Sequence, residues 1–192
     1  YPEEQVMDTW TANERGELTL PMLLEQGDYT IVEVEAPYGY VKELEGKSFT
    51  VDAEYKGWDD PLTIEFANMP QKATITVVKS DGYTEEAVDE SVYIVKAAET
   101  IQTPDGTIRA HEGEIVATLT TGPDGKATTP KLYLGTYTVY EAKAKDGYAL
   151  DVAEKTVTLE YAGQDVVVYD HEEAVTDMPT HPEILKVDAI DH

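Results

Sequence analysis

Apolar and polar residues exchange places at every second position through much of the chain, the pattern of strands with one face buried. The alternation runs through Glu17–Leu20, Tyr29–Val34, Lys47–Asp52 and Leu62–Phe66. It returns over Ala73–Lys79, Ser91–Val95, Glu114–Thr120, Tyr137–Glu141, Lys155–Tyr161 and Asp165–Val175. Turn signals punctuate it at Asn13-Glu-Arg-Gly16, Ala36-Pro37-Tyr-Gly39-Tyr40, Gly57-Trp-Asp-Asp-Pro61, Asp81-Gly82, Thr103-Pro-Asp-Gly106 and Gly122-Pro-Asp-Gly125. Proline fixes one backbone angle in such turns, and glycine permits a positive one. Only Thr84–Ala98 invites a helix, and the β-branched run Val92-Tyr-Ile-Val95 breaks that reading. Short strands at regular spacing without helical periodicity predict an all-β fold of Ig-like sandwiches.

The pattern repeats. Tyr29-Thr-Ile-Val-Glu33-Val-Glu-Ala-Pro37-Tyr-Gly39-Tyr40 is echoed by Tyr137-Thr-Val-Tyr-Glu141-Ala-Lys-Ala-Lys145-Asp-Gly147-Tyr148. A Leu and a Gly precede each copy, Leu24 and Gly27 in one and Leu132 and Gly135 in the other. Asn68-Met-Pro70 matches Asp177-Met-Pro179, Thr11–Gly16 matches Thr120–Gly125, and Val78-Lys79-Ser-Asp81 matches Leu185-Lys186-Val-Asp188. A period of just under about 110 residues means tandem domains. On this register, residues 1–70 form a sandwich lacking its first strands. Residues 71–179 form a complete one, and 180–192 supply the opening strand of a following repeat or a linker. The position equivalent to Lys79 in the first unit falls roughly thirty residues upstream of Tyr1.

Composition narrows the function. The 192 residues include 39 acidic and 14 basic side chains, for a net charge of −25. Nucleic acid needs clusters of Lys and Arg, and an anionic membrane surface needs basic residues, so neither is an expected partner. Cysteine is absent, which excludes disulfides and thiolate metal sites. A hydrophobic content of 41% with 13 tyrosines suffices for packed cores. No apolar run is long enough to span a bilayer, and Tyr1 does not begin a signal peptide. The expected setting is extracellular, either secreted or attached to a cell wall.

The strand period places Glu33 and Glu141 on the inward face with Tyr29 and Ile31, or with Tyr137 and Val139. A buried carboxylate is costly unless it is protonated or partnered. A lysine, Lys79, sits on the first strand of the complete unit, and Asp177 or Asn68 ends a last strand. First and last strands of an Ig-like sandwich are commonly neighbours. A lysine buried beside Ile75 and Val77 loses its charge readily, and the free amine is a nucleophile. A protonated Glu beside it can polarise a carbonyl and shuttle protons. The product is a Lys–Asp or Lys–Asn amide, made once, with loss of water or ammonia.

These motifs resemble a known family. Lys-x-Asp, then Leu-x-x-Gly-x-Tyr-x-x-x-Glu-x-x-Ala-Pro-x-Gly-Tyr, then a terminal Asn-x-Pro, is similar to the Cna protein B-type and SpaA-like repeats of Gram-positive adhesins and pilins. The resemblance covers nearly the whole chain. It implies a transthyretin-like, reverse-Ig sandwich with an autocatalytic intramolecular isopeptide bond. By position it makes Lys79 the amine, Glu141 the acid/base and Asp177 the acceptor, with Glu33 and Asn68 matching in the first unit. Two departures stand out. Lys145 replaces the usual Pro, and Asp177 replaces the commoner Asn, with Asp170 a rival acceptor.

The expected function is therefore a structural stalk repeat, clamped by its own isopeptide bond and no enzyme toward other molecules. Its partners are neighbouring repeats of the same polypeptide. Strand exchange through 183–188 with another copy is a further expectation, with Lys186 meeting Asn68. The alternative is an adhesin module that recognises a host matrix protein or glycan through loops such as Gly57–Pro61 or Gln102–Glu114. No cofactor or metal is expected. His111, His171, His181 and His192 are scattered, and His171 beside Glu172 and Glu173 has no ligand spacing. Asp59, Asp60 and Asp151 lack the pattern of a calcium loop. Trp10 and Trp58 suit core or strand-covering positions better than a carbohydrate platform.

Overall fold

The computed structural model describes residues 6–54 and 61–180, and every regular element in them is a β-strand. The chain divides into two compact units. One comprises residues 1–32 and 44–65, the other 33–43 and 66–192.

The first unit is built on β1 (Gly27–Ile31) and β3 (Lys47–Val51), which pair antiparallel with Tyr29 opposite Phe49. Their rings stack at 5.6 Å. Two strands expected here do not form. Glu17, Leu18 and Thr19 are exposed, so their alternation has no core to face. Leu62–Phe66 keeps half-buried Ile64 and Phe66 but forms no strand.

The second unit is a sandwich of two four-stranded sheets. In the first sheet, β5 (Lys72–Asp81) is central. On one side it pairs antiparallel with β10 (Lys126–Thr128) and β11 (Leu132–Tyr133). On the other it pairs in parallel with β14 (Val168–Asp177), along ten residues from Lys72↔Val168 to Asp81↔Asp177. The second sheet has the order β13 (Lys155–Leu159), β12 (Gly135–Lys143), β6 (Val92–Ala97), β9 (Ile115–Thr120). Two short ladders complete the unit: β2 (Tyr40–Val41) with β4 (Met69–Pro70), and β7 (Ile101–Gln102) with β8 (Ile108–Ala110) around the Thr103–Gly106 turn.

Inward positions of both sheets make the core: Ala73, Ile75 and Val77 on β5, Tyr93, Val95 and Ala97 on β6, Tyr137 and Val139 on β12, Val157 and Leu159 on β13. The Gly122–Gly125 turn seats against β5. Gly125 has φ of +71°, and a Cβ there would stand 2.3 Å from the Lys79 carbonyl oxygen, so only glycine fits.

Candidate functional site

Strand period carries polar groups into this core. On β5 the inward series Ala73, Ile75, Val77 continues to Lys79 and Asp81. On β12, Tyr137 and Val139 continue to Glu141, and on β14 Val175 is followed by Asp177. Lys79 is 1% exposed, Glu141 4% and Asp177 2%, which excludes a lysine reaching out to solvent and a surface glutamate.

The three side chains converge. Lys79 Nζ forms an ion pair with Asp177 Oδ1 and lies 3.4 Å from Glu141 Oε1. Parallel pairing sets Val175 opposite Lys79, so Asp177 reaches Lys79 along the shared inward face. Lys79 Nζ and both Asp177 carboxylate oxygens are buried without a hydrogen bond of good geometry. Burial pushes the Asp177 carboxyl above its ordinary range, the adjacent Lys79 draws it down, and the charge of Glu141 raises it again.

Glu141 is held at both oxygens. The backbone N–H of Asp151 donates to Oε2 at 3.1 Å, and the Tyr93 hydroxyl donates to Oε1 at 3.3 Å. Tyr93 stands directly opposite Glu141 in the β6–β12 ladder, where the register shifts between Glu141 and Lys143. Its ring centroid is 5.6 Å from Lys79 Nζ. Burial, then the charges of Glu141 and Asp177, push its hydroxyl well above the usual tyrosine range, so it stays protonated and donates. The period of two in Val92-Tyr-Ile-Val95 signals an inward Tyr93, but its place beside Glu141 depends on ladder register.

Asp170 lies elsewhere. It is on the opposite face of β14, exposed, and accepts hydrogen bonds from the hydroxyls of Thr74 and Thr76 at 2.6 and 2.9 Å.

A second cluster fixes the ends of these strands. Asp81 accepts the backbone N–H groups of Tyr83 and Thr84 and the Tyr148 hydroxyl at 2.7, 2.9 and 2.8 Å. The Thr84 and Tyr83 amides, with Tyr148, hold the Asp81 carboxyl below its ordinary value against desolvation. Gly82 N–H donates to the Asp177 carbonyl and Ala149 N–H to that of Met178. Both the Asp of Lys-x-Asp and the Tyr of Gly-Tyr thus anchor the strand ends around the site. Lys145, where the related pattern has Pro, pairs with Asp89.

The matching residues of the first repeat, Glu33 and Asn68, also meet. Asn68 Nδ2 donates to Glu33 Oε2 at 2.6 Å and to the Val41 carbonyl at 3.2 Å. The Glu43 N–H donates to Glu33 Oε2 at 2.8 Å, ten residues beyond the glutamate, as Asp151 does for Glu141. Lys186 lies outside the described residues, as do Trp58, Asp59, Asp60, His181 and His192. His171 Nε2 is 3.6 Å from Glu173, while Glu172 pairs with Lys126. No group of three His, Asp or Glu arranged for a metal occurs among the described residues.

The profile of the SpaA prealbumin-like fold domain matches residues 2–64 and 73–173. The chain belongs to this family and carries two of its domains in tandem. No curated protein sequence matches it significantly. Among solved structures, the Bacillus anthracis TIE protein is similar over 81% of this chain and 26% of its own, with 22% identity and a TM-score of 0.56. The group B streptococcus pilus 2b backbone protein is similar over 77% of this chain and 52% of its own, with 21% identity and a TM-score of 0.46. The minor pilin GBS52 of Streptococcus agalactiae is similar over 92% of this chain and 70% of its own, at 18% identity and a TM-score of 0.44. The chain therefore spans about a quarter of the first of these and about half of the second. At such identities the TIE likeness is one of fold.

Proposed function

We propose that this chain is a stalk segment of a Gram-positive surface adhesin or pilin, locked by an amide between Lys79 and Asp177 with Glu141 as acid/base. The observation that carries the reading is the burial of Lys79 with two carboxyls and no hydrogen bond to stabilise its charge or that of Asp177. A buried ion pair without such support is costly to keep, and condensation removes both charges. The reaction balances: an ammonium and a carboxylate become an amide and one water. Passing a proton from Lys79 to Asp177 leaves an amine beside an un-ionised carboxyl. The amine attacks Cγ of Asp177. Glu141 Oε1, 3.4 Å from the nitrogen, accepts a proton from it and returns it to the departing hydroxyl. This set is consumed by one turnover, which fits a structural domain rather than an enzyme.

Intact mass under denaturing conditions tests this. The expected mass is one water short of the sequence mass, with Lys79→Ala at full mass. Glu141→Gln should form the bond slower by a factor on the order of 100 or more. Full-mass wild type overturns the bond.

Glu33 and Asn68 are the same acid and acceptor in the first repeat, and we assign their amine to a lysine-bearing strand. Lys186 in Glu183–Asp188 of another copy is the candidate within this sequence. Heat-resistant oligomers on a denaturing gel, each step one ammonia light, are expected from that exchange. Monomer alone excludes a covalent exchange.

A further inference from the structure

The bond proposed above makes water where solvent does not reach, since the side chains of Lys79 and Asp177 are fully buried. That molecule must leave, or it stays beside the new amide as the reagent for hydrolysis. A cavity of about 10 Å³ adjoins the site, lined in part by Tyr93, Val139, Glu141, Asp151, Ala153 and Val175. This is close to the least space that admits one water. Tyr93, Val139, Glu141 and Val175 are buried, while Asp151 is half-buried and Ala153 exposed, so the cavity leads from the glutamate toward the surface. Its inner end is polar where the reaction needs it. Glu141 Oε1 faces the Lys79 nitrogen and accepts from Tyr93, while Oε2 is tied to the backbone of Asp151, itself a wall residue.

We propose that this cavity is the outlet for the leaving group, with the Glu141 carboxyl passing water from the reacting carbon to the gap beside Ala153. The inference rests on the Lys79–Asp177 bond. It adds a function for Ala153, whose side chain takes no part in the chemistry, beside Asp151, whose backbone holds Glu141.

The test fills the gap from its exposed end. Wild type, Ala153→Ser, Ala153→Leu and Ala153→Trp are made by cell-free synthesis, quenched into denaturant at intervals and weighed. Near-ultraviolet circular dichroism checks that each folds, and the smaller Leu serves if Trp does not. The expected result is bond formation slowed in order of size, with Ser at the wild-type rate and Trp about tenfold slower. Repeating the series with Asp177→Asn, whose leaving group is ammonia of similar size, should give the same order. Equal rates across the folded variants overturn the outlet, as does slowing confined to the Asp177 form, since a blocked outlet would hold back ammonia as it holds back water. A wild type that never loses mass overturns instead the bond itself.

Discussion

At the scale of the residue, the site is a consequence of parity. Ile75, Val77 and Lys79 share one face of a strand, as do Tyr137, Val139 and Glu141, and Val175 and Asp177. The chain that packs the aliphatic residues therefore drags the three polar ones inward. Without the amide, Asp177 carries a pH signature. Burial raises its carboxyl above the ordinary value of about 3.9, so between that value and the raised one the unfolded chain is ionised and the folded chain is not. In Lys79→Ala the lowering partner is gone. The contribution of Asp177 to its stability should be largest at or below about pH 4 and be lost as pH rises through the folded value, with no recovery above it. Denaturation midpoints from about pH 4 to 8 measure this, and the amide-bonded protein should lack this component because the carboxyl no longer exists. In the sequence, parity pointed Glu141 inward and set Lys79 in line with Ile75 and Val77, while Asp177 was singled out by the Met-Pro match to Asn68; in the structure Asp170 lies on the other face of β14. Tyr93 was not legible as a site residue. Its partner is set by β6–β12 register, which a period of two does not determine.

At the scale of the element, most strands were legible because each faces a core. Glu17–Leu20 and Leu62–Phe66 show the limit, since alternation describes a side chain's chance of burial and not the presence of a ladder partner. The parallel β5–β14 pair brings together the first and last strands of the two four-stranded sheets, and the turns around it hold it in register. Gly125 is the most demanding of these, with a positive φ and the Lys79 carbonyl in the space of a side chain. Gly125→Ala should push the turn off β5 and cost about 1–3 kcal/mol. Urea unfolding in the unbonded Lys79→Ala background measures it, free of the cross-link. A cost near zero would mean that the turn does not seat β5.

At the scale of the whole molecule, the repeat period revealed tandem domains but not every long contact. Gln71 donates from its backbone to Gly39 and from its side chain to Gly163, while Gln164 accepts from Ala36 and Tyr161 donates to Tyr40. These contacts group residues 33–43 with the second unit, and no local pattern announces pairings so far apart in the chain. A bond from Lys79 to Asp177 closes a loop of nearly a hundred residues, worth roughly 4–5 kcal/mol on a chain-entropy account. Calorimetry at about pH 4, where Asp177 is closest to neutral, should place unfolding of the second unit roughly 20 °C higher in wild type than in Lys79→Met. Parallel pairing of β5 and β14 also decides where a stretched chain carries its load. With the proposed amide in place, tension entering at Lys72 runs along β5 to Lys79, crosses to Asp177 and leaves at the far end of β14. The segment from Ser80 to Thr176 lies off that line, a slack loop hung from a taut cord. Hairpin tips in it that touch neither β5 nor Glu141 can lengthen, shorten or change sequence without weakening the cord.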